Sequence, residues 1–141
     1  MTIDIPAEIE TYRIVFDGGS LGNPGRGYGS FAIKGPGQYA ATEKLNYDHL
    51  GNRVTNNEAE YLTLIGALEW LANDLGERAK HSRVSVLGDS QLVISQLKGA
   101  WKVRKEELKP LHNRASTLLG RFGRFDLTWQ PRAESVKVLG H

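Results

Sequence analysis

Tyr12-Arg-Ile-Val-Phe-Asp-Gly-Gly-Ser20, followed by Leu21-Gly-Asn-Pro-Gly25, is the stretch on which the reading of this chain turns. Ile14, Val15 and Phe16 are β-branched or aromatic and form an uninterrupted apolar run, the pattern of a buried strand. The run delivers a carboxylate straight into a glycine turn, so Asp17 is expected at a strand's carboxyl end, beside backbone that a ligand can approach closely. An Asp that merely caps a tight turn would look the same. The acids further along the chain bear on which reading holds.

Working outward, Gly27 to Lys34 alternates small or polar residues with Tyr28, Phe31 and Ile33, which suits a second strand. Gly35-Pro36-Gly37 is a turn, and Gln38 to Leu45 can return as a third strand. Short connections make these three an antiparallel meander. Residues 46 to 54 read as a polar loop, and residues 1 to 10, with Pro6 and no period, as a loose leader before a single domain over residues 11 to 141. From Thr55 the period changes. Tyr61, Leu64, Leu68, Leu71 and Leu75 recur at helical spacing, with Asn56 or Asn57 placed to cap the start. Arg83 to Leu87 is a short β-branched run ending in Gly88-Asp89-Ser90, a second strand that terminates in a carboxylate. Ser90 to Leu97 reads as a helix that Gly99 breaks. Leu108, Leu111, Ala115, Leu118 and Phe122 form a further helical stripe with Pro110 in its first turn. Phe125 to Trp129 is a last strand, and residues 130 to 141 a short tail. Strands that alternate with helices imply crossovers and parallel pairing, so the expectation is an α/β domain with a mixed five-stranded sheet flanked by helices.

With 141 residues, 40% of them hydrophobic, the chain suits one domain with a proper core. Met1 to Glu10 is polar and acidic, unlike a targeting signal, and no stretch approaches the ~20 apolar residues that span a bilayer. The absence of cysteine removes disulfides and thiolate metal sites and permits a reducing compartment, and a cytoplasmic monomer is expected. Net charge is only +2, but Lys98, Lys102, Arg104, Lys105, Lys109, Arg114, Arg121 and Arg124 crowd together. They form either a solvated face or a surface for a polyanion.

Asp17 and Asp89 each close an expected strand, where functional groups of open α/β sheets collect. At 100° per residue Glu58 and Glu60 fall on opposite edges of the helical stripe, and helix geometry alone does not choose between them. If one of them faces the aspartates, three carboxylates converge, which is costly unless a cation sits there. Hard oxygen donors of this kind suit Mg²⁺ or Mn²⁺. Two such ions about 4 Å apart can activate a water and stabilise the leaving oxygen of a phosphoryl displacement.

Phe16-Asp-Gly-Gly-Ser20 with Asn23-Pro-Gly25, Thr55-Asn-Asn-Glu-Ala-Glu60, Gly88-Asp-Ser-Gln91 and Trp129-Gln-Pro-Arg132 together resemble ribonuclease H of type 1, in that family's order and spacing, from about Tyr12 to Glu134. The resemblance implies a ribonuclease H fold and endonucleolytic hydrolysis of the RNA strand of RNA/DNA hybrids with two Mg²⁺ ions, leaving 5′-phosphate and 3′-hydroxyl ends. It selects Glu60 over Glu58 and makes Asp17, Glu60 and Asp89 the metal ligands. It also implies substrate contacts: Gly18, Gly19, Ser20 and Asn23 at a minor-groove loop, Arg53 and Thr55 at a DNA phosphate, and Asn56, Asn57 and Gln91 near the 2′-hydroxyl that tells RNA from DNA. Trp101 resembles the aromatic and basic surface along the DNA strand, with a buried core position as its alternative; for Asn56 and Asn57 the alternative is capping. Arg132 stands where some relatives carry a His.

The pattern departs at its end. The family has an Asn followed four residues later by an Asp, and here Ser135 and Leu139 hold those positions before the sequence stops at His141. A catalytically weakened hybrid-binding module is therefore the alternative to a full enzyme, and a ribonuclease H-like nuclease acting on DNA is a third class. Binding to a hybrid should be largely electrostatic, with affinity falling at a slope of roughly 0.7–0.9 per neutralised phosphate and with little sequence preference.

Overall fold

The computed structural model describes residues 9–140, so the expected leader lies outside the described residues except for Ile9 and Glu10. Glu10 already belongs to the first strand. The apolar run at Ile14–Phe16 forms the middle of β1 (Glu10–Leu21), with these three residues at most 2% exposed. β2 (Arg26–Lys34) and β3 (Ala40–Leu45) follow antiparallel, and β4 (Ser82–Gly88) and β5 (Arg124–Trp129) are parallel to β1. The strand order is β3-β2-β1-β4-β5, the mixed five-stranded sheet that the alternation of strands and helices predicts.

β1 does not end at Asp17. It stays paired with β2 as far as Leu21↔Arg26, whereas its parallel ladder with β4 stops at Phe16↔Gly88. The glycines read as a turn are strand residues, and the turn comes later, around Gly22, whose φ is 84°. The reason lies in α2 (Asn56–Leu75), which rests on β1 and β2. A Cβ on Gly18 would stand 2.7 Å from the Ala59 carbonyl oxygen, and one on Gly29 would overlap Thr63. The missing side chains let the helix lie close against the strands.

The expected stripe on α2 is the core itself: Tyr61, Leu64, Leu68, Leu71 and Leu75 are all buried, packed with Ile14, Phe16, Phe31 and Ile33. Its cap is Thr55, not Asn56 or Asn57. The Thr55 hydroxyl accepts the Glu58 N–H at 3.2 Å, while the Glu58 carboxylate accepts the Thr55 N–H at 3.0 Å, a reciprocal capping box. The polar loop holds a short helix, α1 (Tyr47–Leu50), capped by Asn46, whose side chain accepts the Asp48 N–H at 2.9 Å. α3 (Gln91–Leu97) has Ser90 as its cap, and a turn of 3₁₀ helix (Glu106–Leu108) precedes α4 (Lys109–Leu119), with Pro110 in the first turn. Leu108, Ala115 and Leu118 are buried as the stripe requires, and Phe122 is buried beyond the helix end.

The tail is not a tail. Residues Arg132–Leu139 form α5, ended by Gly140 at φ 81°, and it lies against β1 and β2. Val136 and Val138 on it are exposed and Ser135 is its one fully buried residue. An apolar period therefore could not announce it.

Gly29→Ala is expected to lower stability by about 1–3 kcal/mol, the usual cost of overpacking. In urea titration the double variant with Thr63→Ala should lose less than the sum of the two single changes, because the clash is with the Thr63 side chain.

Candidate active site

The last parallel pair between the central strands is Phe16↔Gly88, so the next residue on each strand is an aspartate. Adjacent strands run ~4.8 Å apart, which places Asp17 and Asp89 side by side where β1 and β4 part. α2 comes to the same place from above, its Ala59 lying over Gly18, and Glu60 follows by one residue. Glu60 is half-buried and its carboxyl is pushed up to about 7, first by burial and then by the charges of Asp89 and Asp17, against a lowering hydrogen bond from Ser90. Glu58 is engaged in the capping box. Local geometry thus separates two glutamates that helical periodicity left equivalent.

Among the described residues, no group of three or more His, Cys, Asp or Glu side chains is already arranged to hold a metal ion. What the site has is an electrostatic grouping of three carboxylates whose neighbours oppose the ionised form of one. Its donors are oxygen only and acidic, the set that suits a hard divalent cation. Side-chain rotation between staggered wells is the movement that would bring such oxygens to one ion.

Two neighbours were not foreseen from the sequence. Ser90 caps α3, accepting the Val93 N–H at 3.2 Å, and its side chain also bonds Glu60. A Ser between a strand end and a helical run is a cap signal, so its position was readable even though its contact with Glu60 was not. Trp129 donates its indole N–H to the Asp89 carbonyl at 3.1 Å, and the Gln130 N–H bonds the Gly88 carbonyl at 2.9 Å. No local signal marks that role, because the contact joins residues forty positions apart.

The β1–β2 loop is tied to the start of α2. The Ser20 N–H donates to the Asn56 side chain at 2.8 Å, the Asn56 N–H donates to the Asn23 side chain at 3.0 Å, and Gly25 exchanges both backbone hydrogen bonds with Val54. Ser20, Asn23 and Asn56 are therefore together, holding one another. Gly18 and Gly19 also earn their smallness within the fold: one admits α2, and a Cβ on the other would meet the Tyr28 ring hydroxyl at 2.6 Å. Thr55 is the helix cap, Arg53 is exposed two residues before it, Asn57 is half-buried in the first turn, and Gln91 is exposed at the first position of α3.

Trp101 is 46% exposed, which rules out a core position. It lines a cavity of about 520 Å³ with Leu92, Gln96, Lys102, Arg104 and Leu108. Gln96 holds that segment from beneath, accepting the Tyr61 hydroxyl at 2.7 Å and donating to the Lys102 carbonyl at 3.3 Å. All eight cations of the basic run are exposed, and two of them pair with carboxylates, Lys109 with Glu106 at 2.6 Å and Arg114 with Glu69 at 3.5 Å. Arg132 is exposed at the start of α5. Ser135 accepts the Gln130 side-chain N–H at 3.1 Å, and Leu139 lines a groove with Ser30, Phe31 and Ala32.

A mixed sheet in this order, with acids where the two central parallel strands part and a helix lying across them, defines the ribonuclease H-like class of fold. Residues 44–138 match the family described as reverse transcriptase-like. A ribonuclease HI of Halobacterium salinarum is 42% identical over 124 residues, covering 87% of this chain and 58% of that protein. The crystal structure of ribonuclease H1 from that archaeon superposes with a TM-score of 0.77 at 35% identity over 91% of each chain. A bifunctional protein of Mycobacterium tuberculosis is 38% identical over 121 residues, 85% of this chain and 31% of that protein. Its N-terminal ribonuclease H domain superposes with a TM-score of 0.74 at 32% identity, over 92% of this chain and 91% of the other. LC11-RNase H1, isolated from compost and solved in complex with an RNA/DNA hybrid, gives 0.75 at 27% identity over 90% of each chain. The chain belongs to the ribonuclease H type 1 family, and it spans less than two thirds of the length of these two curated relatives.

The raised carboxyl of Glu60 sets a pH dependence. The unfolded chain titrates near 4.5 and the folded one at about 7. Stability tied to the protonated form is therefore complete below about 4.5 and lost as pH rises through about 7. Glu60→Gln is expected to stabilise the protein at pH 8 in EDTA by roughly 1–3 kcal/mol and to change little at pH 4.5, as read by urea unfolding at the two pH values.

Proposed function

We propose that this chain is an endoribonuclease that hydrolyses the RNA strand of RNA/DNA hybrids, with Asp17, Glu60 and Asp89 as ligands of two divalent cations, Mg²⁺ or in its place Mn²⁺, and with 5′-phosphate and 3′-hydroxyl ends as products. It would act as a monomer in the cytoplasm. The observation that carries the reading is the grouping of one half-buried glutamate with two aspartates at the fork of β1 and β4, where burial and like charge both oppose its ionisation. Such a cost has a use if cations are to be held there. Bound ions of this class activate a water and stabilise the oxygen that leaves in an in-line displacement.

The chain's own residues supply position and charge. The Ser90 side chain holds Glu60, and the Trp129 indole holds the backbone of Asp89. The loop of Ser20 and Asn23, fixed to Asn56, brings polar groups beside the acids, with Asn57 and Gln91 on flanking helix starts. These are the groups suited to read a 2′-hydroxyl. Arg53 and Thr55 at the start of α2 suit a phosphate, and the exposed cations around Trp101 suit a second strand. The complex of LC11-RNase H1 with a hybrid supports the choice of substrate.

A weaker enzyme, or a module that binds hybrids without cutting them, is favoured by one observation. Leu139 stands where the family has an acid, and it lies in an apolar groove beside Ser30, the cross-strand partner of Asp17. Cleavage of a labelled hybrid with Mg²⁺ and with Mn²⁺ separates the readings, and duplex DNA is the control for a nuclease of the third class. Asp17→Asn is expected to reduce hybrid cleavage roughly 10²-fold or more, the several kcal/mol of a cation ligand, with hybrid binding largely kept. Leu139→Asp is expected to raise the cleavage rate; absence of product from the parent chain with either metal would leave the binding module as the reading.

A further inference from the structure

The stretch after α3 carries the exposed Trp101, Lys102, Arg104 and Lys105, yet no helix or strand holds it between residues 101 and 105. Its near end is set by the Ala100 and Trp101 N–H groups, which donate to the Ser95 carbonyl at 2.9 and 3.2 Å, and its far end by the 3₁₀ turn that starts at Glu106. Between them Val103 packs against the core. Among the described residues a single hydrogen bond reaches residues 102 to 104, from the Gln96 side-chain amide to the Lys102 carbonyl at 3.3 Å. Apolar packing is non-directional and sets only how deep the segment lies, whereas this bond sets where along α3 it lies.

Gln96 is 5% exposed, so protein neighbours decide how its amide is turned. The Lys102 carbonyl can only accept, and the amide nitrogen must therefore face it. That turns the amide oxygen to Tyr61, whose hydroxyl donates to it at 2.7 Å. Tyr61 is fully buried on α2 and follows Glu60 directly. The Gln96 backbone carbonyl in turn lies 3.1 Å from Nε2 of His112 on α4 and accepts the Gly99 N–H at 3.1 Å. One buried glutamine thus joins the helix that bears the acid, α4 and the irregular segment. Buried polar links whose members are all partnered favour one arrangement over its alternatives.

We propose that Gln96, braced by Tyr61, is the positioning residue for residues 101 to 105, and that it sets where Trp101 and its neighbouring cations meet a bound hybrid. The inference rests on the hybrid-binding reading above and adds Gln96 and Tyr61 to it; both are buried and act through the segment. Hybrid binding is measured in EDTA for the parent chain, Gln96→Met and Tyr61→Phe, at a temperature where thermal unfolding shows each to be folded. Gln96→Met keeps the length of the side chain and removes its donor, and should bind about two- to tenfold more weakly, the worth of one hydrogen bond. Tyr61→Phe removes the brace but leaves the bond to Lys102, and should lose about twofold. In Gln96→Met the ¹⁵N order parameters of residues 102 to 104 should fall toward ~0.6 while those of α2 hold. The affinity loss from Gln96→Met should shrink in a Trp101→Ala background and stay whole in an Arg53→Gln background, which a general loss of stability would not do. Should Gln96→Met not fold, Tyr61→Phe carries the same comparison. Parental affinity, or an equal loss in both backgrounds, overturns the positioning role, and unchanged order parameters overturn the claim that the amide holds the segment. Failure of the parent chain to bind any hybrid would instead overturn the functional reading beneath it.

Discussion

The close approach of α2 to two glycines is the constraint on which the arrangement depends. With no side chain at Gly18 or Gly29, the helix lies against β1 and β2, and its first turns come to rest over the place where β1 leaves β4. Glu60 reaches the two aspartates only because the helix sits this low. The same contact buries Tyr61, Leu64 and Leu68 against Ile14, Phe16 and Phe31, so the packing that stabilises the domain is also what assembles the acids. Close packing transmits small displacements, and a helix lifted by a methyl group would disturb both.

The site is thus built against its own electrostatics. Half-burial and two neighbouring carboxylates raise the Glu60 carboxyl, and the Ser90 side chain resists the rise in part. Like charge brought together in such a place is a cost to the fold, tolerated here next to a tied-down loop and two helix starts. A carboxyl perturbed by both burial and neighbouring charge is a candidate functional group.

Much of this was legible in residue types. The apolar runs leading to Asp17 and Asp89 declared two strands, of which only the second ends beside its carboxylate, while the first runs on to Leu21. The stripe from Tyr61 to Leu75 declared α2. The glycines misled, because Gly18 and Gly19 suggest a turn to any local rule, whereas their need for a bare Cα comes from α2 and Tyr28, which lie elsewhere in the sequence. The choice between Glu58 and Glu60 was hidden from periodicity but present in the Thr55-Asn-Asn-Glu58 pattern, a capping box that engages the first of the pair. α5 stayed invisible because its valines face solvent and only Ser135 is fully buried. The roles of Ser90 and Trp129 at the acids belong to tertiary contact, and no window of sequence contains them.

The capping box has one more implication. Two glutamates separated by a single alanine serve unrelated ends: Glu58 closes the start of a helix, while Glu60 stands among the acids. Evolution or an engineer could therefore alter the acidic grouping without opening the helix start, or loosen the helix start without touching the acids, by editing one of two codons that a single alanine separates.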